Sequence, residues 1–189
     1  SRSKELCKVD DKFVYLNTFG QLDKSCQDNI KDIDVLIFCV GQLIGKSLIE
    51  YSDEEIISTF ESNIILIIKF LKENFSIIND RASVIFIGSI AASAGSYDEV
   101  YSASKAALYG LTKSLAKKSY RGIRFNCVSP GLIEETNMMK IFSQKEIERH
   151  KNETPIEKLV SKKDLASLCF DISQEKWKSL NGQVLNING

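Results

Sequence analysis

The stretch Ser89-Ile-Ala-Ala-Ser-Ala-Gly-Ser-Tyr-Asp-Glu-Val-Tyr101-Ser-Ala-Ser-Lys105 decides the fold of this chain. A serine follows an apolar run, a loop rich in Gly and Ser comes next, and Tyr101 and Lys105 then open a helix-forming segment. Residues four apart lie on one face of a helix, so the Tyr101 and Lys105 side chains are expected to point into the same space. The stretch therefore predicts a strand, a turn and a helix that bring three polar groups together.

These three groups suit proton transfer. A phenol has a pKa of about 10, and a nearby ammonium is expected to lower that pKa because it stabilises the phenolate. Ser89 can donate a hydrogen bond to a substrate oxygen, which completes a set for proton exchange with an alcohol or a carbonyl. A Tyr and a Lys four apart also occur by chance on solvated helix faces. The strand-like run Ser83-Val-Ile-Phe-Ile87 before Ser89 and the small residues of Ser102-Ala-Ser-Lys-Ala-Ala107 favour the catalytic interpretation.

The helical part of this stretch resembles the active-site helix of the short-chain dehydrogenase/reductase family. The residues that carry the resemblance are Tyr101-Ser-Ala-Ser-Lys105-Ala-Ala-Leu and Gly110-Leu-Thr-Lys-Ser-Leu-Ala116. Further matches follow the order of the family over nearly the whole chain: Asn63, Ser89, Asn126-Cys-Val-Ser-Pro-Gly131 and Gly182-Gln-Val-Leu-Asn-Ile-Asn-Gly189. The resemblance implies an α/β fold in one domain over residues 1–189, with a Rossmann-type doubly wound parallel sheet flanked by helices.

The resemblance also implies an NAD(P)(H)-dependent oxidoreductase that interconverts a carbonyl and a secondary alcohol by hydride transfer. By the family's pattern, Tyr101 is the acid and base, Ser89 orients the carbonyl, and Lys105 lowers the Tyr pKa and binds the nicotinamide ribose. Asn63 matches the Asn that supports a proton relay through water; a buried Asn bonded to backbone is the alternative. Because the hydride comes from the cofactor, no metal is required.

Contacts to the cofactor, NADP with NAD as the alternative, are expected where strands end, because open parallel sheets bind ligands there. Gly41 ends the apolar run Ile33-Asp-Val-Leu-Ile-Phe-Cys-Val40, and Pro130 and Gly131 follow the run Ile123-Arg-Phe-Asn-Cys-Val128. The family's asparagines before the first of these glycines are replaced by Cys39 and Val40. The cofactor residues carried over from the family are Arg2, Asn17, Gly41, Tyr101, Lys105, Pro130, Gly131, Ile133 and Thr136. Thr136 lies one position later than in the commonest pattern.

The amino end departs from the family, whose members begin with a strand, a Gly-rich turn and a helix that binds the pyrophosphate. No such turn occurs here, so we expect the polypeptide to extend upstream of Ser1, with two more strands between Lys12–Leu16 and Asp34–Val40. Arg2 would then favour the 2′-phosphate of NADP, although an ordinary surface Arg fits equally well. Asn17 either lies beside the adenine or begins a turn.

A long helix and a lid complete the expected organisation. Ser52-Asp-Glu-Glu55 has the form of a capping box and begins a helix that runs towards Phe75. Its apolar residues Ile64, Ile67, Ile68 and Leu71 are predicted to form core and subunit interface, as a homo-dimer or homo-tetramer. Residues 131–158 resemble the family's variable substrate lid.

Composition excludes several classes of protein. The 189 residues carry 25 basic and 25 acidic side chains, which gives no field for nucleic acid or an anionic membrane. Five dispersed cysteines without a Cys-x-x-Cys pair indicate reduced thiols, with Cys39 and Cys127 expected to be buried in strands. His150 is the only histidine, so neither a Ser-His-acid triad nor a His-rich metal site is expected. Without a signal peptide or membrane span in the sequence, we expect a cytoplasmic protein that acts on a small molecule.

A non-catalytic interpretation remains open from the sequence. A cofactor-sensing or scaffold protein would keep the fold and lose turnover, and the missing Gly-rich turn and the altered Cys39-Val40-Gly41 segment favour it. The intact set of Asn63, Ser89, Tyr101 and Lys105 favours the enzyme.

Overall fold

The computed structural model describes residues 7–10, 13–16, 32–118 and 120–189. Its central sheet has four parallel strands. In their order across the sheet, these are β3 Ile33–Phe38, β4 Ile78–Ile87, β5 Arg124–Pro130 and β6 Val184–Ile187. The parallel sheet confirms the fold class that the sequence predicts.

A second, two-stranded sheet lies nearer the amino end. Its strands, β1 Cys7–Asp10 and β2 Phe13–Leu16, pair antiparallel, with Cys7 opposite Leu16. The expectation of two more strands between Lys12–Leu16 and Asp34–Val40 places Lys12–Leu16 in the parallel sheet, and this is wrong for Phe13–Leu16. Antiparallel strands can be joined by two residues, whereas a parallel pair needs a long crossover. The mostly polar run from Leu22 to Lys31 is also predicted to be helical, and it lies outside the described residues.

Helices follow the strands of the parallel sheet. They are α1 Asp53–Phe60, α2 Leu66–Asn74, α3 Ala91–Ala94, α4 Glu99–Lys118, α5 Gln144–Asn152 and α6 Lys162–Ser173. A π-helical segment, Glu61–Ile65, joins α1 to α2, so the predicted long helix is confirmed with one wider turn inside it. The Ser52 hydroxyl accepts from Glu55 N and the Glu55 carboxylate accepts from Ser52 N, which confirms the capping box.

The two middle strands carry the core. In β4, Val84 and Phe86 belong to a buried cluster that includes Ile67 of α2 and Leu108 of α4. Ile85, between them in sequence, belongs to another cluster, with Cys169 and Ile172 of α6. Since alternate residues of a strand face opposite sides of the sheet, helices cover both of its faces. This is the doubly wound arrangement.

The first strand of the parallel sheet is more exposed than its near-continuous apolar run predicts, since such runs are typical of strands covered on both faces. Val35 and Ile37 of β3 are 43% and 39% exposed, while Phe38 is buried. Cys39 continues the exposed alternation and is itself exposed, so its predicted burial is wrong. Cys127 is buried in β5, as predicted.

The apolar residues of the long helix lie on two faces, one buried and one exposed, as their spacing predicts. Ile64, Ile67 and Leu71 are buried, whereas Ile68 is 44% exposed and points away from the core. Among the helices that the structure describes, none has both the length and the apolar character needed to cross a bilayer.

Candidate active site

The site lies where β3 and β4 end. Lys105 of α4 donates from Nζ to the carbonyl of Ile87, the last residue of β4, over 3.0 Å, and to the carbonyl of Val40 over 3.4 Å. A Cβ built on Gly41 would lie 2.9 Å from this Nζ. The structure therefore brings the predicted lysine and the predicted glycine together at the carboxyl edge of the sheet, where parallel sheets bind ligands.

Tyr101 lies one helical turn before Lys105 and is 6% exposed. The Lys105 Nζ is 6.0 Å from the centre of the Tyr101 ring. Ser89 follows β4 after a single glycine, is half-buried, and interacts with the Tyr101 phenol. The predicted serine, tyrosine and lysine are thus gathered at one place by one strand end and one helix.

The net shift of the Tyr101 pKa in the folded chain is upward. Burial raises the pKa of Tyr101 above its ordinary value, and the Asp98 carboxylate acts in the same direction. The Ser89 hydroxyl partly opposes this rise in the Tyr101 pKa. Lys105 is not among the groups that set this net shift, since its ammonium is directed towards two backbone carbonyls and burial dominates. The prediction that Lys105 lowers the Tyr101 pKa therefore stays a prediction.

The lysine is itself perturbed. Lys105 is 4% exposed, and burial lowers its pKa to about 8, while the Cys127 and Cys39 thiols act in the opposite direction. Desolvation disfavours the charged ammonium, and two carbonyl acceptors compensate only part of that cost. Near neutral pH the ammonium form still predominates, so Lys105 can bind an oxygen ligand as a cation.

Asn63 supports the same corner of the site. It is fully buried in the π-helical segment, and its Nδ2 donates to Gln42 O over 3.0 Å and to Ser104 Oγ over 2.8 Å. Its Oδ1 accepts from Gln42 N over 2.6 Å and lies 3.1 Å from a Cβ built on Gly41. The Asn63 side chain therefore holds the segment after β3 against α4, and its amide is occupied by protein partners.

A group of residues beneath Ser89 was missed by the sequence reasoning. The Tyr109 hydroxyl donates to Ser89 O over 2.9 Å and lies 2.7 Å from Ser129 Oγ. A Cβ built on Gly88 would lie 2.7 Å from both Cys127 Sγ and Ser129 Oγ. The available signal was the spacing of Tyr109, four residues after the lysine on the same face of α4.

The segment after β5 is fixed by its own backbone and side-chain bonds. Pro130 is buried at the end of β5, and Gly131 N donates to Ile187 O over 2.9 Å. Ile133 forms a parallel bridge with Val160, and Thr136 Oγ1 donates to Ile133 O over 3.0 Å. The two remaining predicted cofactor residues, Arg2 and Asn17, lie outside the described residues.

Sequence comparison places the chain among known proteins. A family profile described as "Enoyl-(Acyl carrier protein) reductase" matches residues 17–189. The chain belongs to the short-chain dehydrogenase/reductase family. A family relative, the 3-oxoacyl-(acyl-carrier-protein) reductase of Buchnera aphidicola subsp. Baizongia pistaciae, is 28% identical over 205 residues, which cover 100% of this chain and 83% of the relative.

Solved structures of short-chain dehydrogenases/reductases share the fold. A protein from Brucella melitensis, described as a short-chain dehydrogenase/reductase and glucose/ribitol dehydrogenase, matches with a TM-score of 0.79 at 26% identity. The match covers 84% of this chain and 64% of the Brucella chain, so this chain spans less than two thirds of that relative. A variant of a Serratia marcescens short-chain dehydrogenase/reductase matches with a TM-score of 0.80 at 24% identity, covering 88% of this chain and 68% of the other.

Proposed function

We propose that this protein is an NADP(H)-dependent reductase that converts a carbonyl into a secondary alcohol and, in reverse, oxidises the alcohol. The observation that carries the proposal is the buried pair of Tyr101 and Lys105 at the carboxyl ends of β3 and β4, with the Ser89 hydroxyl beside the phenol. Membership of an oxidoreductase family and the likeness to an acyl-carrier-protein reductase support it.

The described residues fit the nicotinamide half of a dinucleotide. Gly41 has no side chain to occupy the space beside the Lys105 ammonium, and Pro130 ends β5 at the same edge of the sheet, with Gly131 directly after it. Lys105 would bind the ribose hydroxyls, and the Ile133 to Thr136 segment would line the nicotinamide. When bound, the nicotinamide supplies the hydride.

Proton transfer is the task of this chain's own residues. Ser89 donates a hydrogen bond to the carbonyl oxygen and polarises it, and Tyr101 donates its phenolic proton to the same oxygen. A raised Tyr101 pKa keeps the phenol protonated at neutral pH, which is the form that reduction needs. The reverse oxidation needs the phenolate and is therefore expected to be faster at alkaline pH.

The substrate is proposed to bind beneath the lid, residues 131–158. In this lid, the Phe142 ring lies 6.3 Å from the Tyr97 ring and 5.4 Å from the His150 ring, both in edge-to-face geometry. A Cβ built on Gly45 would lie 2.7 Å from Ile141 Cγ2, so the lid also meets the segment after β3. This apolar and aromatic wall favours a carbonyl substrate with an apolar body.

Two further expectations stay proposals. Preference for NADP over NAD rests on Arg2 and on the naming of acyl-carrier-protein reductase relatives. Association into a homo-dimer or homo-tetramer is supported by the exposed Ile68, which lines an apolar groove between α2 and α4 together with Phe75 and Leu115.

The proposal is tested by the consumption of NADPH in the presence of a panel of ketones and 3-oxoacyl thioesters, in wild type and in Tyr101→Phe. General acid catalysis contributes a factor of about 10² to 10⁴, and the variant should lose turnover by that factor while its affinity for NADPH changes little. Tyr120→Phe is the matched control, since Tyr120 is 38% exposed and packs against Phe75 instead of the site.

Near-normal turnover in Tyr101→Phe would refute its role as the acid. Binding of NADPH by the wild type without consumption on any substrate would support the non-catalytic alternative, a cofactor-sensing or scaffold protein.

A further inference from the structure

A buried carboxylate lies immediately before α4, the helix that carries Tyr101 and Lys105. Asp98 is 0% exposed, and its Oδ1 accepts from Tyr101 N over 2.8 Å. Its Oδ2 accepts from Gly45 N over 2.9 Å and from the Tyr51 hydroxyl over 2.7 Å. Removing a carboxylate from water is costly unless hydrogen bonds satisfy its oxygens, and the three bonds to Asp98 do so.

The bond from Tyr101 N to Asp98 Oδ1 fixes the backbone of Tyr101 in the first turn of α4. Asp98 directly precedes α4, and an N-cap side chain typically accepts from the backbone N–H three residues later. In α4 that residue is Tyr101. The hydrogen bond that caps the helix is therefore also the one that holds the backbone of the proposed acid.

The other oxygen ties the helix to the segment that follows β3. Residues 41–47 begin at Gly41, beside Lys105, and reach Gly45, whose N–H points at Asp98. Both backbone partners of Asp98 can only donate, so both of its oxygens must accept. An asparagine would present an NH₂ group to one of these donors and could not reproduce the arrangement.

Resting on the proposed function, we propose that Asp98 is a positioning residue for Tyr101. Its carboxylate holds the first turn of α4 against residues 41–47, and its buried negative charge keeps the proton on the phenol, which favours reduction.

The charges around the phenol support the sign of this effect. Burial is the largest cause of the raised Tyr101 pKa, and Asp98 and Tyr109 add to it, while Ser89 opposes it. The Lys105 Nζ lies 6.0 Å from the centre of the Tyr101 ring, and the pKa of Lys105 is lowered to about 8 by burial. A negative charge disfavours the phenolate, so Asp98 acts towards the protonated acid.

Groups facing Asp98 come from several elements. The Tyr51 hydroxyl is bonded to it, and burial and then Asp98 raise the Tyr51 pKa. Glu55 of α1 also acts on Tyr51 and is itself paired with Lys46 over 2.6 Å. Among sequence neighbours, Tyr97 has a pKa raised by burial and then by Asp98, and Glu99 bonds Leu48 N over 2.9 Å.

Asp98→Asn tests the proposal, with Glu99→Gln as the matched control. The control removes the adjacent charge, while the amide oxygen of glutamine can still accept from Leu48 N, and Glu99 does not act on Tyr101. The Tyr101 pKa is measured by NMR titration of isotopically labelled tyrosine, with the signal assigned through Tyr101→Phe. Asp98→Asn should lower the Tyr101 pKa, and Glu99→Gln should leave it unchanged.

Kinetics supply the second readout. A misplaced acid can cost up to about a hundredfold in rate, so Asp98→Asn should lower kcat for ketone reduction by about tenfold to a hundredfold. The pH at which alcohol oxidation reaches half its maximum should move to lower values. Asp98→Glu, which keeps the charge, should retain a raised Tyr101 pKa.

An unchanged Tyr101 pKa in a folded Asp98→Asn protein would overturn the proposal, as would an equal shift in Glu99→Gln. Should Asp98→Asn not fold, Asp98→Ser removes the charge with a smaller capping side chain and must show the same shift. If the wild type reduces no substrate, the proposed function fails, and the NMR titration still decides whether Asp98 acts on the Tyr101 phenol.

Discussion

Gly88 is expected to tolerate no side chain without a loss of stability, because buried side-chain atoms lie directly beside its Cα. It joins β4 to Ser89 and has no positive φ, so alanine is compatible with its backbone. An added Cβ would nevertheless lie 2.7 Å from both Cys127 Sγ and Ser129 Oγ, and 3.3 Å from Tyr109 Cε1. Cys127 and Ser129 are 0% exposed on β5, so neither side chain can move aside into solvent. Overpacking of this kind costs about 1–3 kcal/mol.

The free energy of unfolding of Gly88→Ala, measured in urea, should fall by about 1–3 kcal/mol, and turnover should fall because Ser89 is displaced. Gly110→Ala is the matched control. Gly110 lies inside α4 with nothing within 4 Å of a built Cβ, and alanine there should raise stability by about 1 kcal/mol. Adding Cys127→Ala to Gly88→Ala should cost less than the sum of the two single changes, because one clash is relieved. Wild-type stability in Gly88→Ala would show that the space beside Gly88 can accept a methyl group.

The remaining predictions concern the hydroxyl beneath Ser89 and the buried lysine. Tyr109→Phe removes the bonds to Ser89 O and Ser129 Oγ, and should lower the free energy of unfolding by about 1–2 kcal/mol and reduce kcat more than it changes KM; equal kcat would contradict the role. The Lys105 pKa is about 8 when folded and near 10.5 when unfolded, so the unfolded chain binds the extra proton between these values and stability should rise with pH across that window. The rise, about 3 kcal/mol, should be absent in Lys105→Met, and parallel pH profiles of the two proteins would show that the lysine pKa is not shifted.

Much of the fold was accessible from the sequence because local signals and burial agree. The capping box at Ser52 begins a helix as predicted, and the apolar run before Ser89 is a central strand. The surroundings of β3 were not accessible in the same way. Its apolar run predicts burial on both faces, yet Val35 and Ile37 are exposed, because a single strand's pattern does not say what covers it.

The meeting of Ser89, Tyr101 and Lys105 could be predicted from the sequence, whereas the direction of the net Tyr101 pKa shift could not. The spacing of Tyr101 and Lys105 puts both on one helix face, but the sign of the Tyr101 pKa shift depends on burial and on Asp98, neither of which spacing reveals. The contacts of Asp98 with Gly45 and Tyr51 join residues about fifty positions apart in sequence, and only the folded chain brings them together.

The proposed reduction is tested most directly by following the transferred hydride with a deuterium label. NADPH deuterated at the transferred position is incubated with the protein and a ketone substrate, and the alcohol is analysed by mass spectrometry. Direct hydride transfer with Tyr101 as the acid predicts an alcohol that carries one deuterium on its carbinol carbon in the wild type, with little or none formed by Tyr101→Phe. An alcohol without deuterium, or equal labelled product from the variant, would contradict direct hydride transfer assisted by Tyr101.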